Sequence, residues 1–165
     1  MIAVLISIRP KWCEKIISGE KTIEVRKTRP KMDTPFRGYI YRTKGTVPHI
    51  INGKWVQMEV GGTIIAEFTC DRIYELEMRS PGGSYYVKGE DQPTTNDVAR
   101  HSCLTLWDMH EYLQAGKGYG WHISNLRIYD HPRDLWEFSG LQRETEFGLA
   151  PKPITRPPQS WRHVE

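Results

Sequence analysis

Cysteine is sparse in this 165-residue chain: Cys13, Cys70 and Cys103 are the whole supply, and they stand far apart. An odd number without a C-x-x-C spacing excludes a disulfide framework and a zinc cluster of the usual kind. The reading is reduced core thiols in a cytoplasmic protein. Long apolar runs are missing as well. Residues 1–6 (MIAVLI) are too few for a membrane span or a signal segment and read as a buried first strand. Nor is one sign of charge in excess, with 23 Lys and Arg against 20 Asp and Glu, a net +3. That balance permits a polyanionic partner, but as a small site rather than a broad basic surface. The six histidines, His49, His101, His110, His122, His131 and His163, include no pair at helical ligand spacing, so no metal is expected. G-x-x-x-x-G-K-S/T, G-x-G-x-x-G and G-x-S-x-G runs are absent, which argues against a P-loop, dinucleotide redox chemistry and a nucleophile elbow. No cofactor is implied.

What is present fits one ordinary domain. A chain of this length buries about two-thirds of the surface its unfolded form exposes. Residues 1–150 read as that domain. Residues 151–165 read as a proline-rich tail without regular structure, docked back through Trp161.

The pattern opens with a strand over residues 2–8. Pro10 then suits the first turn of a helix, where its missing N–H costs nothing. Trp12, Cys13, Ile16 and Ile17 share that helix's apolar face, and Gly19 is placed as its left-handed stop. Strands follow over 22–27 and 36–42. Asn52-Gly53 marks a hairpin, and Ile64, Ala66, Phe68 and Cys70 alternate along the next strand. The glycines and prolines of residues 79–96 predict a long loop, a length more often functional than idle. A short helix over 96–102 follows. Thr105 with Asp108 forms a capping box for another, which buries Leu106, Met109 and Leu113 and ends at Gly116. One long strand over 119–129 completes the domain, with a bulge near Ser124-Asn125.

The most informative segment is Gly19-Glu20-Lys21-Thr22-Ile23-Glu24-Val25-Arg26, a G-x-K-x-x-E-x-R spacing that leaves a helix and enters a strand. Exposed ion pairs on such a strand would contribute little to stability. Two cations around a carboxylate have chemistry to offer a ligand. The carboxylate can accept from an exocyclic amine of a base, and the cations can hold a phosphate. Strict alternation puts Glu24 and Arg26 on one face and Lys21 on the other; Lys21 lies at the turn, where alternation need not hold, and a cleft reading requires it to swing toward Glu24.

Strand, proline-started helix, this motif, the strand after Gly61-Gly62 and a closing Trp121-His122-Ile123-Ser124 together resemble the ASCH domain family of the PUA-like superfamily. The resemblance implies an α+β fold: a mainly antiparallel PUA-like β-barrel with two or three flanking helices. It also implies binding of RNA, or of a nucleobase or nucleotide, in a charged cleft. The residues expected there are Arg9, Lys21, Glu24, Arg26, Tyr41, Trp121, His122 and Ser124. The family's enzymatic branches imply an alternative, a small hydrolase acting on modified nucleosides or on RNA, with Lys21 as base beside Glu24. The amidohydrolase branch has Thr where this chain has Glu24, and a Glu where this chain has His101-Ser102. A third reading is a protein-interaction module that uses the 79–96 loop.

Overall fold

The computed structural model describes residues 2–145 and 148–165. In chain order the elements begin β1 (Ala3–Ile8), α1 (Pro10–Ile17), β2 (Ile23–Arg26), β3 (Phe36–Arg42), β4 (Gly45–Ile51) and β5 (Lys54–Val60). They continue β6 (Thr63–Cys70), β7 (Ile73–Met78), β8 (Tyr85–Val87), α2 (Thr95–Ser102), α3 (Leu106–Leu113) and β9 (Gly118–His122). The last are β10 (Ser124–Arg133), a 3-10 turn (Leu135–Glu137), β11 (Ser139–Thr145), β12 (Gly148–Pro153) and β13 (Trp161–Val164). The protein is α+β, with three α-helices and mainly antiparallel strands among the described residues. The described strands fall into sheets of seven, four and two rather than closing into one barrel. The chain divides into two compact units.

The first unit comprises Met1–Glu14, Arg37–Phe68 and Leu126–Glu165. Its sheet runs β10-β6-β3-β1-β13-β11-β12. Every residue of β1 is buried, as its apolar run, broken only by Ser7, requires of a central strand. It pairs in parallel with β3 and antiparallel with β13. The tail is therefore not structureless: its last residues form β13, and Pro157-Pro158 lie only in the connection before it. Ser7 Oγ donates to the Pro158 carbonyl at 2.6 Å, which fixes that connection. Leu5, Tyr41, Ile64, Phe138, Ile154 and Val164 form the unit's core. Gly38 is required there, because a Cβ would stand 2.3 Å from the Phe68 ring. β4 and β5 make a seven-pair hairpin that pairs only with itself. Asn52 and Gly53 turn it, both at positive φ. Along α1, Cys13 and Ile16 are buried, whereas Ile17 is 37% exposed, because the apolar stripe is narrower than the sequence suggests.

The second unit comprises Lys15–Phe36 and Thr69–Asn125. Its antiparallel sheet runs β2-β9-β7-β8. Ile23, Val25, Tyr74, Leu76, Tyr85 and Val87 of the strands pack with Val98, Ala99, Met109 and Leu113 of α2 and α3. Both helices start on capping boxes, Thr94 with Asp97 and Thr105 with Asp108. α3 stops at Gln114, in the left-handed region at φ 51°, two residues before Gly116. Leu106, at the first position of α3, is 50% exposed, because the core closes behind Met109 and Leu113. The 79–96 segment is not one loop, since Tyr85–Val87 add to the sheet as β8. The long closing strand is in fact two. β9 ends at His122 in the four-stranded sheet and β10 starts at Ser124 in the seven-stranded one. The break in alternation records that change of sheet, with Asn125 at φ 47°.

Candidate functional site

β2 is an edge strand of the second unit's sheet. Its residues alternate as expected: Ile23 and Val25 enter the core with the helices, and Glu24 lies opposite Trp121 of β9. Lys21 precedes the strand, where alternation does not bind it, and it does swing toward Glu24. Its ammonium stands 3.0 Å from Glu24 Oε2. It also donates to the carbonyls of Ile23 at 3.0 Å and Ser102 at 2.7 Å. Arg26 Nη2 meets the other carboxylate oxygen, Oε1, at 2.9 Å. Lys21, Glu24 and Arg26 thus form one network around a single carboxylate.

Burial decides what this network does. The Lys21 and Glu24 side chains are 3% and 9% exposed, and Arg26 only 11%. A buried ammonium must be matched by acceptors, or its desolvation costs several kcal/mol. Lys21 has three. One of them, Ser102 O, lies at the C-terminus of α2, where a cation also complements the helix dipole. The Thr22 N–H donates to His101 O in the same place. Lys21 therefore ties β2 to the end of α2. The resemblance sets His101-Ser102 at the family's Glu position, but Ser102 is not among the expected site residues, and nothing local could have revealed a backbone carbonyl 81 residues away.

The other expected residues sit in distinct settings. Trp121 is fully buried, its ring edge-on to Phe36 at 5.8 Å. His122 and Ser124 come together through a residue the sequence did not suggest, Asp71. His122 Nδ1 lies 2.7 Å from Asp71 Oδ1. Ser124 Oγ donates to Thr69 O at 2.8 Å. Burial pushes the Asp71 carboxyl up, but hydrogen bonding, that with His122 foremost, outweighs it and holds the group below its ordinary value. The remaining two belong to the first unit. Arg9 is exposed, and its carbonyl starts α1 by accepting from Trp12 and Cys13. Tyr41 is 5% exposed and part of that unit's core.

Beyond Arg26 the charge reaches the surface. Lys27, Arg29 and Lys31 are exposed, and no acidic residue interrupts them before Asp33. Arg29 folds onto its own loop, donating to Pro30 O at 3.3 Å and Met32 O at 2.9 Å. Lys27 Nζ lies 5.3 Å from the centre of the Tyr112 ring, a cation–π contact, and 3.4 Å from Gln114 Oε1. Tyr112 of α3 is 40% exposed. Burial pushes its hydroxyl up, with the charge of Arg26 pulling the other way. The unit as a whole holds eleven Lys and Arg against eleven Asp and Glu. The positive field of residues 26–31 is therefore local. Neither that run of cations nor its aromatic neighbour, 81 residues beyond Lys31, was singled out from the sequence.

No helix among the described residues is long and apolar enough to cross a membrane. No protein-family model matches the chain, and no curated protein matches it in sequence. Among solved structures, the crystal structure of ASCH from Zymomonas mobilis is similar, with a TM-score of 0.60 and 18% identity, over 96% of this chain and 85% of that one. A variant of the Zymomonas mobilis protein with a serine replaced by alanine gives 0.58 at 17% identity, over 96% and 85%. A variant with a tyrosine replaced by phenylalanine gives 0.56 at 18% identity, over 96% and 87%. At this level of identity the likeness speaks for architecture: the chain has the fold of an ASCH domain.

Proposed function

We propose that this protein binds single-stranded RNA, or a nucleobase or nucleotide within it, on the surface where β2 leaves the sheet. The observation that supports this most is the passage from a buried ion network to exposed cations beside an aromatic ring. Lys27, Arg29 and Lys31 are accessible to phosphates, and Tyr112 offers a π-face next to them. Cations that track a backbone and a ring on which a base stacks are the usual parts of such a site. In this reading Lys21, Glu24 and Arg26 hold the strand from which the cations project. His122 and Ser124, both part-exposed, are the remaining ligand contacts of the second unit.

The test is fluorescence anisotropy with a labelled single-stranded RNA of about ten nucleotides, a length within the site sizes of single-strand binders. Replacing Lys27, Arg29 and Lys31 by Ala should weaken binding strongly at physiological salt and leave only a residual, salt-independent affinity. Tyr112→Ala should weaken it by about 1–3 kcal/mol, the usual worth of one stacked base. Unchanged affinity in both variants would refute the proposal.

A hydrolase reading has one observation in its favour, the Asp71–His122 pair. A carboxylate on Nδ1 fixes the ring so that Nε2 can take a proton. Lys21 is a poorer choice of base, because its protons are given to three acceptors. Cleavage of the labelled RNA that disappears in His122→Ala, on a denaturing gel, would favour this second reading.

A further inference from the structure

Away from β2, the second unit holds a cavity of about 650 Å³ between β8, the segment leading into α2 and the open side of α3. That volume is in the range of small-molecule sites. Its floor is apolar: Tyr85, Val87 and Met109 are 7%, 9% and 1% exposed. Leu106 stands at the mouth, which accounts for a leucine left half in solvent at the start of a helix. Among the described residues no carboxylate lines the cavity, whereas Arg79 and His110 do. Two acids of the flanking elements are turned to other partners. Asp97 accepts from the Thr94 N–H and hydroxyl, and Glu77 accepts from Tyr86 Oη and binds Lys88 and Lys117. The guanidinium of Arg79 rests over the Tyr86 ring, 5.4 Å from its centre. No described carboxylate pairs with Arg79. It is thus positioned by a π-face with its hydrogen-bond donors uncommitted to any acid.

We propose that this cavity binds a small amphipathic monoanion, an apolar or aromatic body carrying one carboxylate, with the body on Tyr85, Val87, Leu106 and Met109 and the carboxylate at Arg79. The apolar floor gains from burying the body. A guanidinium without an acidic partner favours a carboxylate over an isosteric neutral group, because charge-assisted hydrogen bonds are the stronger ones. His110, edge-on to Tyr85 at 5.9 Å, also lines the cavity. This site shares no residue with the proposed RNA surface, so either can fail without the other.

The probes are indole-3-acetate and its neutral isostere indole-3-acetamide, followed by the NMR shift of the Met109 methyl in the full chain. The acetate should move that resonance saturably and bind about tenfold more tightly than the amide. In Arg79→Gln the acetate should fall to the affinity of the amide. Leu106→Glu, a change at an exposed position, should leave the circular dichroism spectrum unchanged and abolish acetate binding. Absence of a saturable shift would overturn the proposal. So would equal affinity for acetate and amide, or acetate binding unaltered by Arg79→Gln.

Discussion

Two charge networks in the second unit use the same residue types to opposite effect. At one, Glu24 lies between Lys21 and Arg26 in the interior. At the other, Lys117 and Lys88 share Glu75 and Glu77 across the outer face of β7, with lysine side chains more than half exposed. Distances are alike: 2.8 Å for Lys117 to Glu77 and 3.0 Å for Lys21 to Glu24. The difference is water. The outer lysines keep solvent as an alternative partner, so each ion pair is worth little and salt erodes it. The inner ones have surrendered it, and losing one member strands a charge. Matching motifs on a strand can therefore be scaffold or surface, and burial tells which.

The largest expected effect is at the inner network. Glu24→Gln should destabilise the protein by about 3–5 kcal/mol, because Lys21 and Arg26 lose the charge that offsets their desolvation. Urea unfolding measures it, and a loss under 1 kcal/mol would erase the contrast between the networks. An intermediate effect belongs to the helix caps, which are neither buried nor long-range. Thr105→Ala should cost about 1 kcal/mol, the usual worth of a capping side chain. Lys117→Ala should cost less than either and become indistinguishable from wild type in 1 M salt. Persistence of its effect at 1 M would mean that the outer network is shielded after all.

Acid sharpens the same comparison. Hydrogen bonds from Lys117 and then Tyr86 hold the Glu77 carboxyl down to about 2, against an ordinary 4.5. A depressed carboxyl favours the folded state above its unfolded value and forfeits that contribution as pH falls toward the folded one. The outer network should therefore fade between pH 4.5 and about 2, and Glu77→Gln should flatten the pH dependence of stability in that window. Melting temperatures of both proteins across it would show whether the two curves converge.

Local devices were plain in the sequence: the Asn52-Gly53 turn, the Gly19 stop and both members of the Thr105–Asp108 capping box act within a few residues. The convergence of Lys21 on Glu24 runs against strict strand alternation, and the sequence offered it only as a condition of the cleft reading, open because Lys21 stands at the turn. Features that depend on distant chain were not legible. Asp71 orders His122 from 51 residues away, and β8 exists because Glu77 lies opposite Tyr86. β13 becomes regular because Ala3–Ile6 give it a partner, whatever its proline-rich approach suggests. Leu106 read as core because helical spacing does not distinguish a buried stripe from the lip of a cavity.

The proposed division between a buried network that builds and an exposed run that would bind RNA is tested most directly by the salt dependence of RNA affinity. For the wild type, log K against log salt should fall with a slope near −2, about −0.7 for each of three phosphates met by Lys27, Arg29 and Lys31. With those three replaced by Ala, the slope should approach zero while the urea midpoint stays in place. A slope that survives the triple replacement, or binding indifferent to salt in the wild type, would contradict the account.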